Sequence, residues 1–85
     1  MDTSTMEQEI RAVLAGCAQL ARPAAEVDGD ADLFELGLTS FSSVSVMLTL
    51  EDRFEVEFPD HLLKRDTFRT VRNLCAAIAS LATAA

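Results

Sequence analysis

The sequence predicts an all-α fold: a small four-helix bundle with a long loop between helices one and two and a short third helix. Apolar residues recur three and four positions apart along most of the chain, which is helical spacing. The one strand-like stretch, "EVEFP" at 55–59, has no partner strand elsewhere in the sequence. A chain of 85 residues supports one core, so we expect residues 1–85 to form a single domain with fraying at 1–4 and 82–85.

Helix one is expected from about Thr5 to Ala21, where apolar residues keep a helical period. Arg22-Pro23 should end it, because the residue before a proline is pushed out of the helical region. The following stretch up to Thr39 is long for a loop in so small a domain. We expect four apolar side chains to pin this loop to the core, with Gly37 free to take positive φ: Leu33, Phe34, Leu36 and Leu38.

Helix two is expected to open with Thr39 or Ser40 as N-cap and to run through Phe54. Its predicted inner stripe comprises Phe41, Val44, Met47, Leu48, Leu50 and Phe54, and its outer positions Ser42, Ser45, Thr49, Glu51 and Asp52. A short third helix should run from Pro59-Asp60 to about Arg65. Thr70 should cap the last helix, in which Val71, Leu74, Ile78 and Leu81 repeat at helical spacing.

Composition excludes several classes of protein. A net charge of −7 disfavours binding to nucleic acid or to anionic membranes. No run reaches the 18 or so apolar residues of a membrane span, and "MDTSTMEQEI" lacks the features of a signal peptide, so we expect a cytoplasmic protein. Cys17 and Cys75 fit small buried side chains in a reducing compartment, with a disulfide or a metal pair as the alternative.

The acidic residues are concentrated in the middle of the chain. Ten acids and one base, Arg53, lie between Glu26 and Asp60. Two explanations stay open: the charge keeps a small protein soluble, or it steers basic partners toward this surface.

Five hydroxyl side chains fall within seven positions of "ELGLTSFSSVSVM": Thr39, Ser40, Ser42, Ser43 and Ser45. A hydrolase elbow would need glycine on both sides of its serine, and the only histidine, His61, is predicted on another helix. The "DGDAD" run fails the calcium-loop spacing, because its glycine and its twelfth position are wrong. A serine at a helix N-terminus suits a covalently attached phosphate, since free N–H groups and the helix dipole favour negative charge there.

The stretch "DADLFELGLTSFSSVSVMLTLEDRFEVEFPD" resembles the attachment region of acyl and peptidyl carrier proteins, closely over residues 31 to 60. The residues in register are Gly37, Leu38, Ser40, Phe41, Val44, Glu51, Phe54 and the "FPD" at 58–60. The resemblance implies a non-catalytic carrier of the acyl-carrier-protein fold, with 4′-phosphopantetheine attached to Ser40 and an acyl or aminoacyl group held as a thioester on its thiol. No metal site is implied.

The resemblance also implies partners and a surface that they grip. The partners are a phosphopantetheinyl transferase, an amino acid:[carrier protein] ligase or other loading enzyme, and a downstream acceptor enzyme, which act on a monomer. The residues assigned to the partner surface are Thr39, Phe41, Ser42, Ser45, Glu51, Asp52, Lys64 and Arg65.

Departures from the family pattern narrow the interpretation. Thr39 stands where fatty-acid carriers usually have Asp, Ser45 stands where they have Glu, and Arg53 interrupts the acidic cluster. The region from Gly37 to Phe68 is similar to small stand-alone bacterial carriers charged by ligases related to aminoacyl-tRNA synthetases. We therefore expect a carrier for glycine or alanine. The alternatives are a carrier of fatty-acid or polyketide-type acyl chains and an unmodified helical docking module.

Overall fold

The computed structural model describes residues 3–83, and they form an all-helical fold. Three α-helices are present, α1 (Thr3–Cys17), α2 (Ser40–Phe54) and α3 (Val71–Thr83), and α1 contacts both others. This part of the chain contains no strand, which confirms the predicted all-α class. None of these helices is long and apolar enough to cross a bilayer. The predicted fraying concerns in part residues 1, 2, 84 and 85, which lie outside the described residues.

The core lies between the three helices and the loop that joins α1 to α2. Its fully buried side chains are aliphatic and come from every part of the fold: Ile10, Leu14, Leu33, Val46, Leu50, Val71, Leu74 and Ile78. Leu33 and Leu38 are the loop residues of the predicted pin that become buried, while Phe34 and Leu36 pack half-buried against the same core. Burial of this apolar surface is the main term that stabilises the bundle.

Helix α1 ends at Cys17, four residues before the predicted Ala21. The backbone beyond it bonds to the loop instead of continuing the helix, because the Ala21 N–H donates to the Leu36 carbonyl at 2.7 Å. The α1–α2 connection is therefore fastened to the end of α1 through main-chain atoms.

The predicted short third helix is absent as an α-helix. Asp60–Leu62 and Arg65–Phe68 are two 3-10 helices, separated by Leu63 and by an extended Lys64 (φ −142°, ψ 157°). Short segments gain few i→i−4 hydrogen bonds for the residues they order, so tight i→i−3 turns are the usual outcome. The break allows Thr67 and Phe68 to enter the core while Lys64 and Arg65 stay exposed.

The predicted inner stripe of α2 is wrong at three positions. Phe41, Val44 and Leu48 are exposed, whereas Val46, which was not predicted to face inward, is fully buried beside Leu50. Met47 and Phe54, which were also predicted to face inward, are half-buried and pack against the core. Two apolar stripes with helical spacing run along this helix, so periodicity alone did not decide which of them faces the core.

Arg11 ties the loop to α1 through its guanidinium group. Its Nη1 donates to the carbonyls of Ala24 (2.8 Å) and Val27 (2.6 Å), and its Nε pairs with Glu7 at 3.1 Å. Ala24–Glu26 forms a 3-10 turn at this point, and the two carbonyls lie at the start of the turn and directly after it. A charged donor makes these hydrogen bonds stronger than neutral ones.

Gly37 lies at a close backbone crossing. Its φ is +124°, and a β-carbon at this position would lie 2.6 Å from the carbonyl oxygen of Gln19. Only glycine tolerates both the dihedral angle and the close approach.

Replacing Gly37 with alanine is expected to destabilise the fold by about 1–3 kcal/mol from the backbone conformation alone, and further because the Gln19 backbone must move. Gly16 is the matched control, since it lies in α1 and a β-carbon added there would meet no atom within 4 Å. Gly16→Ala should stabilise by about 0.5–1 kcal/mol. Urea unfolding of both variants measures the difference, and equal stabilities would contradict the proposed constraint at Gly37.

Candidate functional site

Helix α2 begins directly after the Gly37 crossing, and its first turn is held by a capping box. Thr39 is the N-cap, as one of the two predicted options, and its Oγ1 accepts from the Ser42 N–H at 3.0 Å. The Thr39 N–H donates to Ser42 Oγ at 2.8 Å in return. A reciprocal pair of this kind satisfies two backbone donors and fixes the start of the helix.

The five hydroxyl groups have different environments. Those of Thr39 and Ser42 are used in the capping box, and Ser43 Oγ donates to the Ser40 carbonyl at 2.8 Å. Ser40 Oγ makes no hydrogen bond to any residue that the structure describes, and Ser40 is exposed at the first position of α2. Ser45 is half-buried, and its backbone carbonyl lies 3.9 Å from Cys17 Sγ. Ser40 therefore offers an accessible hydroxyl at a helix N-terminus.

An open groove of about 470 Å³ lies beside Ser40, between α2 and the 3-10 turns that follow it. Its walls are mostly apolar, with two hydroxyl groups and two cationic side chains: Phe34, Ser40, Ser43, Val44, Met47, Leu63, Lys64, Arg65 and Phe68. The Arg65 guanidinium lies over the Phe34 ring, 3.9 Å from its centroid, which is a cation–π contact. The Phe68 ring stacks on Phe58 with 5.7 Å between centroids.

The exposed apolar stripe of α2 borders this groove. We define it as Phe41, Val44 and Leu48, which are 85%, 52% and 56% exposed. Side chains this exposed are available to a partner. All three residues of the stripe were predicted to face the core, and only Phe41 was also predicted to belong to the partner surface.

The other predicted partner-surface residues occupy several kinds of position. Lys64 and Arg65 lie at the groove, together with Ser40, and Asp52 is exposed near the end of α2. The Glu51 carboxylate accepts from the Phe58 N–H at 2.7 Å, which fastens the connector after α2. Thr39 and Ser42 serve the cap. The structure thus gives three of these residues an internal hydrogen-bonding role.

The carboxylates of the "DGDAD" run are paired or accept backbone hydrogen bonds. Asp30 pairs with Arg72 at 3.0 Å and Asp32 with Arg69 at 3.9 Å. Asp28 Oδ1 accepts from the Asp30 N–H, and Asp32 Oδ1 accepts from the Phe34 N–H. Among the described residues no group of three or more His, Cys, Asp or Glu side chains could hold a metal ion.

Both cysteines are free thiols at separate places in the fold. Cys17 Sγ lies 3.5 Å from Thr49 Oγ1, where α1 meets α2. Burial raises the pKa of the Cys75 thiol, the Glu7 carboxylate raises it further, and Arg11 lowers it. Because the thiolate is the nucleophile, a raised pKa makes the Cys75 thiol less reactive.

Comparison with known proteins identifies the family of this chain. Residues 8–78 match the family described as "Phosphopantetheine attachment site". The chain is 43% identical over 67 residues to the "Aminoacyl carrier protein" of Agrobacterium fabrum, which covers 79% of this chain and 81% of the relative.

Solved structures give the same result. The chain matches one in the crystal structure of an engineered Bradyrhizobium japonicum glycine:[carrier protein] ligase complexed with carrier protein from Agrobacterium tumefaciens and ATP. The TM-score is 0.84 at 39% identity, with 88% of this chain and 97% of that chain covered. A solution structure of an A. tumefaciens protein matches with a TM-score of 0.69 at 39% identity, covering 88% and 90% of the two chains.

These matches confirm the resemblance that the region around Gly37 to Asp60 carries. The chain therefore belongs to the phosphopantetheine-binding family of carrier proteins, which bear covalently attached 4′-phosphopantetheine and catalyse no reaction themselves.

Proposed function

We propose that this chain carries an aminoacyl group, glycyl or alanyl, on a 4′-phosphopantetheine arm attached to Ser40, and that it presents this group to partner enzymes. The observation that carries the attachment site is the free, exposed Ser40 hydroxyl at the N-terminus of α2. When bound, the arm supplies a terminal thiol that holds the cargo as a thioester. The capping box of Thr39 and Ser42 fixes the first turn of α2, and Ser40 is exposed on that turn.

The first turn of α2 suits the phosphodiester of such an arm. Backbone N–H groups at a helix start have no intrahelical acceptor, and the helix dipole favours an anion there. No acidic residue lies in this first turn, so no side chain of the turn repels the phosphate. The capping box of Thr39 and Ser42 keeps the turn in place without using Ser40.

The aminoacyl cargo is proposed from the relatives. A similar chain is an aminoacyl carrier protein, and another was solved with a glycine:[carrier protein] ligase. The partners that we propose are a ligase of that kind, a phosphopantetheinyl transferase and a downstream acceptor enzyme, all met in the cytoplasm. In this chain the 3-10 turns at 60–68 take the place of the short third helix of the family's four-helix bundle.

Incubation with coenzyme A and a broad-specificity phosphopantetheinyl transferase should add one phosphopantetheine to the wild type and none to Ser40→Ala. Because Ser40 is exposed and is not the N-cap, the free energy of unfolding of Ser40→Ala should lie within about 0.5 kcal/mol of the wild-type value. Ser43→Ala is the matched control and should still be modified. Intact mass reads out each case, and modification of Ser40→Ala would place the arm elsewhere.

The cargo is tested with the modified protein, a glycine:[carrier protein] ligase and ATP. Glycine or alanine should appear on the arm as a thioester, detected as a mass increase that hydroxylamine removes. Fatty acyl and malonyl groups, offered through their own loading enzymes, should load poorly. The opposite preference would support the alternative carrier of fatty-acid or polyketide-type chains.

The exposed apolar stripe should be part of the ligase-binding surface. Phe41→Ala is expected to lower kcat/KM for loading by about 10-fold or more, because exposed aromatic side chains that become buried at an interface are frequent hot spots. Its stability should be unchanged, since Phe41 is 85% exposed. Gln8→Ala, on the exposed side of α1, is the control. Equal loading of both variants would show that Phe41 is not part of the ligase-binding surface.

A further inference from the structure

The charged residues that line the groove beside Ser40 are all cationic. Two cationic side chains, Lys64 and Arg65, are among the described residues that line it, and no carboxylate is. The acidic residue next to them in sequence, Asp66, pairs with Arg69 at 3.4 Å. In a protein of net charge −7, a groove whose charged lining is cationic is a local exception.

The cationic groups are held at the groove by the local fold. Arg65 is stacked over Phe34, with 3.9 Å between the guanidinium carbon and the ring centroid. Lys64 is the extended residue that precedes the Arg65–Phe68 turn, and Phe68, at the end of that turn, is buried. The break that replaced the predicted third helix therefore sets both charges beside the groove.

The remaining surface of the groove is apolar and fits a flexible chain. Its volume of about 470 Å³ falls within the range of roughly 300–1,000 Å³ that is usual for small-molecule sites. Met47 lies in its wall, and a methionine side chain adapts to irregular ligands. An arm attached to Ser40 starts at the edge of this groove and needs no movement of the helices to enter it.

We propose that Lys64 and Arg65, in the wall of this groove, sort the chain's own phosphopantetheine arm by the charge of its cargo. This inference rests on the proposed attachment at Ser40. The neutral thiol arm, or an arm with a neutral acyl group, runs from Ser40 along the groove, so that its outer part passes Lys64 and Arg65. An aminoacyl thioester bears an ammonium group at neutral pH, since α-amino groups titrate near about 7.7–8. Repulsion between like charges keeps this end of the arm in solvent.

The sorting gives the carrier a state that partners can distinguish. An unloaded arm is withdrawn against the protein, and a glycyl or alanyl arm is extended toward the acceptor enzyme. Cargo is then presented preferentially without any change in the helical fold.

Glycyl and propionyl groups form a matched pair for the test, because they differ only in an ammonium group against a methyl group. Each is attached to Ser40 through a hydrolysis-resistant arm in which an amide replaces the thioester. Side-chain methyl NMR signals of Val44, Met47 and Leu63 report groove occupancy against the unmodified protein. We expect the propionyl arm to perturb these signals and the glycyl arm to perturb them roughly 2- to 5-fold less, as surface charge pairs commonly give.

Removal of the two charges should abolish the difference. In Lys64→Gln/Arg65→Gln, the glycyl and propionyl arms should perturb the groove equally. Arg22→Gln/Arg72→Gln removes the same charge outside the groove and should preserve the difference. Salt of about 1 M, at which the Debye length is about 3 Å, should reduce the difference in the wild type.

Three results would overturn the inference: equal perturbation by both arms in the wild type, no perturbation by either arm, or a difference that survives in Lys64→Gln/Arg65→Gln. Intact mass, taken before the spectra, separates these results from failure of the proposed function. A protein that accepts no arm on Ser40 would overturn both proposals, whereas an arm that is attached but ignores the groove would overturn only this one.

Discussion

The attachment of the α1–α2 loop to α1 is the constraint on which the rest of the structure depends. Ordering each loop residue costs about 1–2 kcal/mol of backbone entropy, so a long ordered connection needs fixed points. Arg11 holds one end through the Ala24 and Val27 carbonyls, and the Gly37 crossing over Gln19 holds the other. Since α2 starts three residues after Gly37, the same crossing sets where Ser40 stands.

The acidic residues in the middle of the sequence have roles inside the fold. Asp30 and Asp32 pair with arginines near the start of α3, and Glu51 fastens the connector after α2. These carboxylates shape the loop and the helix ends, and exposed ion pairs of this kind contribute only modestly to stability. The surface that α2 offers next to Ser40 is consequently apolar at Phe41, Val44 and Leu48, with acids such as Asp52 further along. Exposed acidic and exposed apolar side chains are thus separated along one helix.

The sequence predicted the limits of α2 correctly, whereas the end of α1, the inward face of α2 and the third helix were wrong. The start and end of α2 followed from capping chemistry and apolar spacing. The choice of Ser40 rests on the family resemblance and stays a prediction. The register of α2 did not follow from this spacing, because Val44 and Val46 each belong to an apolar stripe and only packing against α1 decides between them. The 3-10 turns at 60–68 depend on burying Phe68, which no local propensity reports. The groove could not be predicted for the same reason, since its shape arises from side chains distant in sequence.

Thr39 is the departure from the fatty-acid carrier pattern that the structure explains in physical terms. As N-cap, its hydroxyl accepts the Ser42 N–H, which is the same hydrogen bond that an aspartate would accept. An aspartate would also put a negative charge next to Ser40. The threonine keeps the cap and leaves the positive end of the helix dipole without a neighbouring carboxylate. As a result, neither the first turn of α2 nor the described lining of the groove places a carboxylate beside Ser40, the proposed attachment residue, although the chain has a net charge of −7.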